Sequence, residues 1–248
     1  MRDNPYEHIR YVTEYLLFHY GRPGDLCPFP GIPRQMLRFH TRLRTECLLP
    51  LSRSPRSAPH QTRGLDLGCG VGRFTFELGR VVDQSIGFDN SKAFIRAARS
   101  MAKHGELTVR ATECGRNLRR VKVCVPLPLR RSKVQFQLGD AMDVAAIVTG
   151  TFHIVAAINL ICRLPRPGAF LGQLHRLVLP GGQLLLASPF SWMPDYSPGG
   201  EWLTQPQVLE ILRPHFRLAR RRDLPFVIRE HRRKYQLVVS DVMVFVRK

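Results

Sequence analysis

From residue 64 onward the chain predicts an α/β fold on a mainly parallel sheet. Short apolar runs alternate with stretches of helical period, the pattern of strands joined by crossover helices. One strand–helix junction, "LDLGCGVGRF" (65–74), carries three glycines spaced by single residues. Two long strand-like runs, "FRLARRRDL" and "YQLVVSDVMVFVRK", then close the sheet as a terminal pair.

The elements follow in order. "NPYEHIRYVTEYLLFHYG" reads as an opening helix, with Asn4 at the N-cap, Pro5 in the first turn and Glu7 three residues after the cap. Ile9, Val12, Leu16 and Tyr20 trace its apolar face, and Gly21 stops it. A second helix is expected over "PRQMLRFHTRLRTECLL", with Met36, Phe39, Leu43 and Cys47 on one side and arginines on the other. "PLSRSPRSAPHQTR" is a Pro/Ser-rich linker. The strands are then "GLDLG", "SIGFD", "VQFQLGD", "FHIVAAINL" and "GQLLLASPF". Helices fall at "RFTFELGRVV", "SKAFIRAARSMAKHG", "PGAFLGQLHRLV" and "QPQVLEILRPH". This divides the chain into an N-terminal helical cap (1–48), a linker (49–63) and a sheet domain (64–248). Residues 105–133 form an Arg/Lys-rich insertion compatible with a hairpin.

Composition narrows the function classes. Thirty-eight Lys and Arg against 19 Asp and Glu give a formal charge of +19, a field that attracts polyanions but says nothing of fold. Six scattered cysteines lack CxxC or His spacing, so no metal site is expected. With no apolar run of membrane-spanning length, a cytoplasmic, reduced protein away from the membrane is expected.

The glycine turn is the most informative stretch. Gly68, Gly70 and Gly72 let the backbone turn tightly and approach a ligand at the carboxyl edge of the sheet. Asp89 ends the second strand about 20 residues on, where an acid meets ribose hydroxyls. Residue 73 is Arg, so G-x-G-x-x-G is not matched, and no G-x-x-x-x-G-K-[ST] phosphate loop occurs. The stretch Asp66–Gly72 instead resembles the D-x-G-x-G-x-G turn of class I S-adenosylmethionine-dependent methyltransferases. "GDAMD" after the third strand supplies Asp140 for the adenine amino group. The fold so implied is Rossmann-like: a seven-stranded, mostly parallel sheet with an antiparallel last strand and an N-terminal helical lid. Its cofactor is S-adenosylmethionine, with Cys69, Asn90, Ala141 and Asn159 completing the candidate cofactor set.

A narrower resemblance rests on "NPYEHIRYVTEYLLFHYG", "AFIRAA", "AAINLICRLPRPGAFL", "PGGQLLLASPFSWM" and "DLPFVIREHRRKYQ". Together these are similar to the methyltransferase domain of ovothiol biosynthesis, usually found as the C-terminal part of the 5-histidylcysteine sulfoxide synthase. The implied reaction is N-methylation of 5-thiohistidine (4-mercaptohistidine) on the imidazole nitrogen nearest the side-chain attachment. A separate sulfoxide synthase chain would supply that substrate.

Such a reaction is an in-line displacement won by orientation. A thiolate is the better nucleophile, so the amino-acid end must be clamped, and a bidentate Arg suits its carboxylate. Candidates lie in three places. "NLICRLP" offers Asn159, for the cofactor or the imidazole, and Arg163; Cys162 reads as a packed thiol. The opening helix offers Tyr15, Phe18, His19 and Tyr20 as a substrate lid. "IREH" offers Arg229 as clamp and Glu230 and His231 for acid–base work, with Arg232 to Lys234 as surface charge. Two further readings stand: methylation of histidine in peptides or proteins, and a basic module binding nucleic acid non-specifically. The latter lacks the (D/N)PP(Y/F) tetrapeptide of base-flipping methyltransferases.

Overall fold

A computed structural model describes residues 4–31, 33–51, 61–130, 132–144 and 148–248. Most of the linker predicted over 49–63 falls outside the described residues.

Seven strands form one sheet in the order β5-β2-β1-β6-β7-β9-β8. They are β1 (Arg63–Leu67), β2 (Gln84–Asp89), β5 (Val134–Leu138), β6 (Phe152–Ile158), β7 (Val178–Ser188), β8 (Phe216–His231) and β9 (Lys234–Arg247). Neighbours from β5 to β7 pair in parallel, whereas β9 runs antiparallel to both β7 and β8. The sheet expected from the sequence, with its antiparallel last strand, is the one observed. The central strands are buried on both faces, as a covered parallel sheet requires: Leu65, Leu67, Val155, Ala157, Leu184 and Leu186 belong to one cluster. On the opposite face Ile154, Ala156, Leu185 and Ala187 pack with Phe74 and Leu78 of α4 (Arg73–Leu78).

The insertion is a hairpin, β3 (Glu106–Cys114) with β4 (Asn117–Cys124), and its inner residues Val109, Ala111, Val121 and Val123 pack under α5 (Lys92–His104). Its outer face sets Arg110 directly opposite Arg120.

Three expectations about the cap are corrected. The opening helix is interrupted: Asn4 caps a separate 3₁₀ turn, Pro5–Glu7, His8 turns extended (ψ 135°), and α1 begins at Ile9 and runs to Tyr20. Glu7 is drawn off to the N-terminus of α5, where its carboxylate accepts from Lys92 N and Ala93 N, a favourable place for negative charge. Ile9, assigned to the apolar face, is 73% exposed, and Leu17 and Phe18 are buried instead. The second helix is broken into a 3₁₀ turn (Arg34–Arg38), a four-residue α3 (Phe39–Arg42) and a π-type turn (Leu43–Cys47). Arg220 of β8 donates to the Glu46 and Cys47 carbonyls at that frayed end and so caps it.

The "IREH" segment lies within a strand. Residues 228–231 end the 16-residue β8, and the side-chain alternation of a strand then decides where each points. Ile228 faces a cleft of about 740 Å³ under the helical cap, so Arg229 faces away from that cleft and is 1% exposed. Its Nη1 donates to the Asp25 carbonyl on α2 (Pro23–Leu26), and its Nη2 donates to Thr112 O (3.1 Å) and Glu113 Oε1 (2.7 Å) on β3. Arg229 thus fastens the sheet edge to both the cap and the hairpin. Removing one partner of a buried pair costs on the order of 3 kcal/mol. Arg229→Ala should therefore lower the melting temperature by roughly 5–10 °C while cofactor affinity stays within about twofold. Calorimetry showing the reverse, an intact melt and lost affinity, would return Arg229 to a ligand-binding role.

Candidate active site

The strand order reverses between β1 and β6, and ligands of open α/β sheets bind at the carboxyl ends of the strands there. A cleft of about 740 Å³ occupies that place. The turn after β1 lines it with Gly68, Cys69 and Gly70, the end of β2 with Asp89 and Asn90, the end of β5 with Asp140 and Ala141, and the end of β6 with Asn159. Asp66, Tyr15, Phe18, His19 and Arg163 also line it. The structure therefore brings together most of the residues singled out in the sequence.

Each of these groups is held by its neighbours. Gly70 has φ +55°, and a Cβ there would lie 3.4 Å from His19 Cε1, filling the space where backbone meets cap. Gly70 N donates to Asp89 Oδ2 (2.9 Å) and Ser91 N to Oδ1 (2.9 Å), which fixes the carboxylate while leaving each oxygen a further lone pair. Burial nevertheless pushes the Asp89 carboxyl up to about 6 against those two amides. Asp66 is pushed up to about 7, again by burial, although Thr75 Oγ1 donates to it at 2.7 Å. Asp140 caps the next turn through Met142 N (2.8 Å). Asn159 sits in the left-handed region, φ +53°, which asparagine tolerates better than most residues. Its carboxamide oxygen accepts from Ser240 Oγ at 2.7 Å, so its NH₂ is left to donate.

The far wall is aromatic. Tyr6 stacks near Tyr196 (6.2 Å between centroids) and meets Tyr15 edge-on (5.8 Å); Tyr15 lies 4.9 Å from Phe94. Arg163 lies over the Tyr196 ring at 5.2 Å and donates from Nη1 to Ser191 O and Cys162 O. Cys162 is buried at the rim, a packed thiol as expected.

Five candidates lie elsewhere. Gly72 (φ +91°) packs on the Phe136 ring, whose Cζ would sit 2.5 Å from an added Cβ, so this glycine serves helix–strand packing rather than ligand approach. Tyr20 lies beyond the cleft-facing side of α1, and its hydroxyl donates to Val71 O. Arg229 and Glu230 line a second cavity of about 870 Å³ between α1, α5 and β3 that contains none of the glycine-turn residues. Glu230 is occupied by Lys234 Nζ (2.9 Å), Gln236 Nε2 (3.0 Å) and Arg10 Nη2 (3.3 Å). The bonds from Lys234 and Gln236 hold its carboxyl below the usual range, so it is not a poised base. His231 accepts from Arg233 N in the hairpin turn, away from the cleft. Arg232, Arg233 and Lys234 are exposed, as expected.

Sequence reasoning missed His40, Tyr6, Tyr196 and the wall from β8 and β9 (Phe226, Ile228, Gln236, Val238). A signal for His40 existed: it falls four residues after Met36 and three before Leu43, on the stripe assigned to the core.

The arrangement fits S-adenosylmethionine: a glycine cradle, a fixed acid at each of two strand ends and an amide beyond β6. Residues 32–233 match the model of a family described as a methyltransferase domain. The chain belongs to that family. This methyltransferase is S-adenosylmethionine-dependent, the cofactor supplying an electrophilic methyl group. It is 27% identical over 127 residues to a ubiquinone biosynthesis O-methyltransferase of Xanthomonas oryzae pv. oryzae, covering 51% of this chain and 42% of that protein. The methyltransferase thus matches less than half the length of these curated relatives. Its fold is shared with magnesium protoporphyrin IX methyltransferase of Synechocystis PCC 6803, solved with the cofactor bound (TM-score 0.55, 16% identity, 97% and 98% of the two chains). It is shared too with the N-methyltransferase NodS of Bradyrhizobium japonicum (TM-score 0.52, 15% identity, 75% and 86%). Among the described residues no helix is long and apolar enough to cross a membrane.

A carboxyl at about 6 sets a pH dependence for cofactor binding. As pH falls through 6, Asp89 gains a proton and offers one lone-pair acceptor fewer to a ribose hydroxyl. Calorimetric affinity for S-adenosylhomocysteine should drop on the order of tenfold between pH 7.5 and 5. Asp89→Asn should bind weakly at both pH values, with only the smaller change that protonation of Asp66, raised to about 7, still brings.

Proposed function

We propose that this methyltransferase transfers the methyl group to an imidazole nitrogen of a free thiohistidine-type amino acid. The observation that supports this most is the charge of the cleft. Among the described residues lining it, Arg163 is the one arginine or lysine, set against four aspartates, although the chain as a whole carries +19. A polyanion has little to bind there. A zwitterion does: Arg163, stacked on Tyr196, is placed to clamp a carboxylate, and the acids suit an ammonium group. The tyrosine and phenylalanine wall suits a flat heteroaromatic ring.

In this reading the clamp passes from Arg229 to Arg163, which lines the same cleft as Asp89 and the glycine turn. Asn159 NH₂ donates to the amino-acid end of cofactor or substrate. The aromatic wall excludes water and holds the ring so that nitrogen, not sulfur, faces the methyl group. Peptide histidine is less well served, because a continuing chain removes the carboxylate that Arg163 would bind.

Mass spectrometry of products from parallel incubations with histidine, 5-thiohistidine, a histidine peptide and a phenolic acceptor decides among these. N-methylated thiohistidine above the no-enzyme control is expected. Methylation of the phenol alone would instead extend the likeness to the O-methyltransferases, and of the peptide alone would move the substrate to polypeptides. Arg163→Lys keeps the charge but loses the fork, so KM for the amino acid should rise about tenfold with cofactor affinity unchanged.

A further inference from the structure

Two histidines meet in the wall of the cleft, and their ring nitrogens are arranged unequally. His19 on α1 and His40 on α3 have ring centroids 4.1 Å apart, and both line the cleft. His19 Nδ1 accepts the Arg73 backbone N–H (3.2 Å). In the neutral ring this leaves Nε2 carrying the hydrogen, so His19 is a fixed donor. Its Cε1 and Nε2 are the ring atoms nearest Gly70. His40, 6% exposed, has no hydrogen-bond partner for either ring nitrogen among the described residues. Phe18 (4.8 Å) and Phe39 (5.4 Å) enclose it on its other sides. The ring borders the cleft, where its nitrogens are open to a ligand.

We propose that His40 and His19 together read the N–H and adjacent sulfur edge of a thioimidazole, His40 accepting from the ring N–H and His19 Nε2–H donating to the sulfur. The proposal rests on the thiohistidine reading above and deepens it. On this ring the N–H and the carbon bearing sulfur are neighbours, so a donor and an acceptor side by side match them. Two consequences follow from ordinary chemistry. Holding the proton on that nitrogen leaves the lone pair on the other one, which is the nitrogen to be methylated. A hydrogen bond to sulfur lowers its nucleophilicity and turns it from the methyl group. Burial, together with the nearby Arg73 charge, holds His19 down to about 3, and burial holds His40 well below the usual histidine range. Both rings therefore stay neutral: His19 Nε2 keeps its hydrogen, and His40 keeps one ring nitrogen able to accept. They are positioning residues: neither takes the proton.

The test uses the whole chain with S-adenosylhomocysteine bound for affinity and S-adenosylmethionine for turnover. His40→Phe keeps the ring and its packing but removes the acceptor; His40→Asn restores one. Calorimetry with 5-thiohistidine and mass spectrometry of the N-methyl to S-methyl product ratio are read on each. With cofactor affinity within about twofold throughout, His40→Phe should lose about tenfold in thiohistidine affinity, one hydrogen bond's worth. It should also raise the S-methyl share, and His40→Asn should recover part of both. Wild-type affinity and product ratio in His40→Phe would overturn the proposal while leaving the substrate reading intact. So would a His40→Asn variant as impaired as His40→Phe. A wild-type protein that binds no thiohistidine sinks both together, and binding without turnover still decides His40 through the affinities.

Discussion

The carboxylate of Glu77 ties the catalytic half of the molecule to its cap. It lies in α4, one turn after the glycine turn, with its side chain 2% exposed. Arg73, Arg44 and Thr41 converge on its two oxygens at 2.7–2.9 Å. Burial alone would raise its pKa; Arg73, the bonds from Arg44 and the Thr41 hydroxyl outweigh that and hold it low. Arg73 also reaches Thr41 Oγ1 and the His19 carbonyl, while its backbone N–H takes His19 Nδ1. One ionic cluster thus fixes α1 and α3 over the glycine turn and sets the tautomer of His19. A buried charge so fully bonded is costly to break, and this one makes the position of the cap a property of the folded core.

The sheet edge repeats the device. Arg229 binds the hairpin and α2, Arg220 caps the π-type turn, Arg221 pairs bidentately with Asp241, and Arg222 reaches Glu46. Of these cations Arg229 is the one the sequence offers as a substrate clamp. Their work is internal, and they also blunt an exposed edge strand that would otherwise pair with other chains.

What could be read in advance followed from position along strands. The glycine turn, Asp89 and Asp140 were legible because a parallel sheet places the ends of its strands at one edge, whatever packs around them. Five of the seven strands were legible as short apolar runs bounded by turn residues, and the last two as the long runs that close the sheet, although β8 continues past the predicted "FRLARRRDL" to His231. The "IREH" segment was misplaced because it was chosen by resemblance and by the need for a carboxylate clamp, not by its position on a strand. Treated as a strand, the alternation past Phe226 and Ile228 would have sent Arg229 away from the cleft. The cap was the hardest part. Its segments are too short for their own period to specify a helix, and tertiary bonds such as Glu7 to α5 and Arg220 to the 46–47 carbonyls decide where each one breaks. His40 was hidden by the same logic, since a histidine on an apolar stripe reads as core until a cavity is found beside it.

The last difficulty is how so basic a chain keeps a cleft that suits a sulfonium cofactor. Exposed charges farther than about 8 Å are largely screened at physiological ionic strength, so the sign inside is set by the groups that line it. Among the described residues Asp66, Asp89, Asp140 and Asp195 do so against a single guanidinium. Burial raises two of these acids, and each is held in place by backbone amides or a hydroxyl. Many of the arginines meanwhile face outward or spend their charge on Glu46, Glu77 and Glu113. Surface charge and cleft charge are therefore separate quantities here, and the chemistry of the cleft has to be inferred from the second.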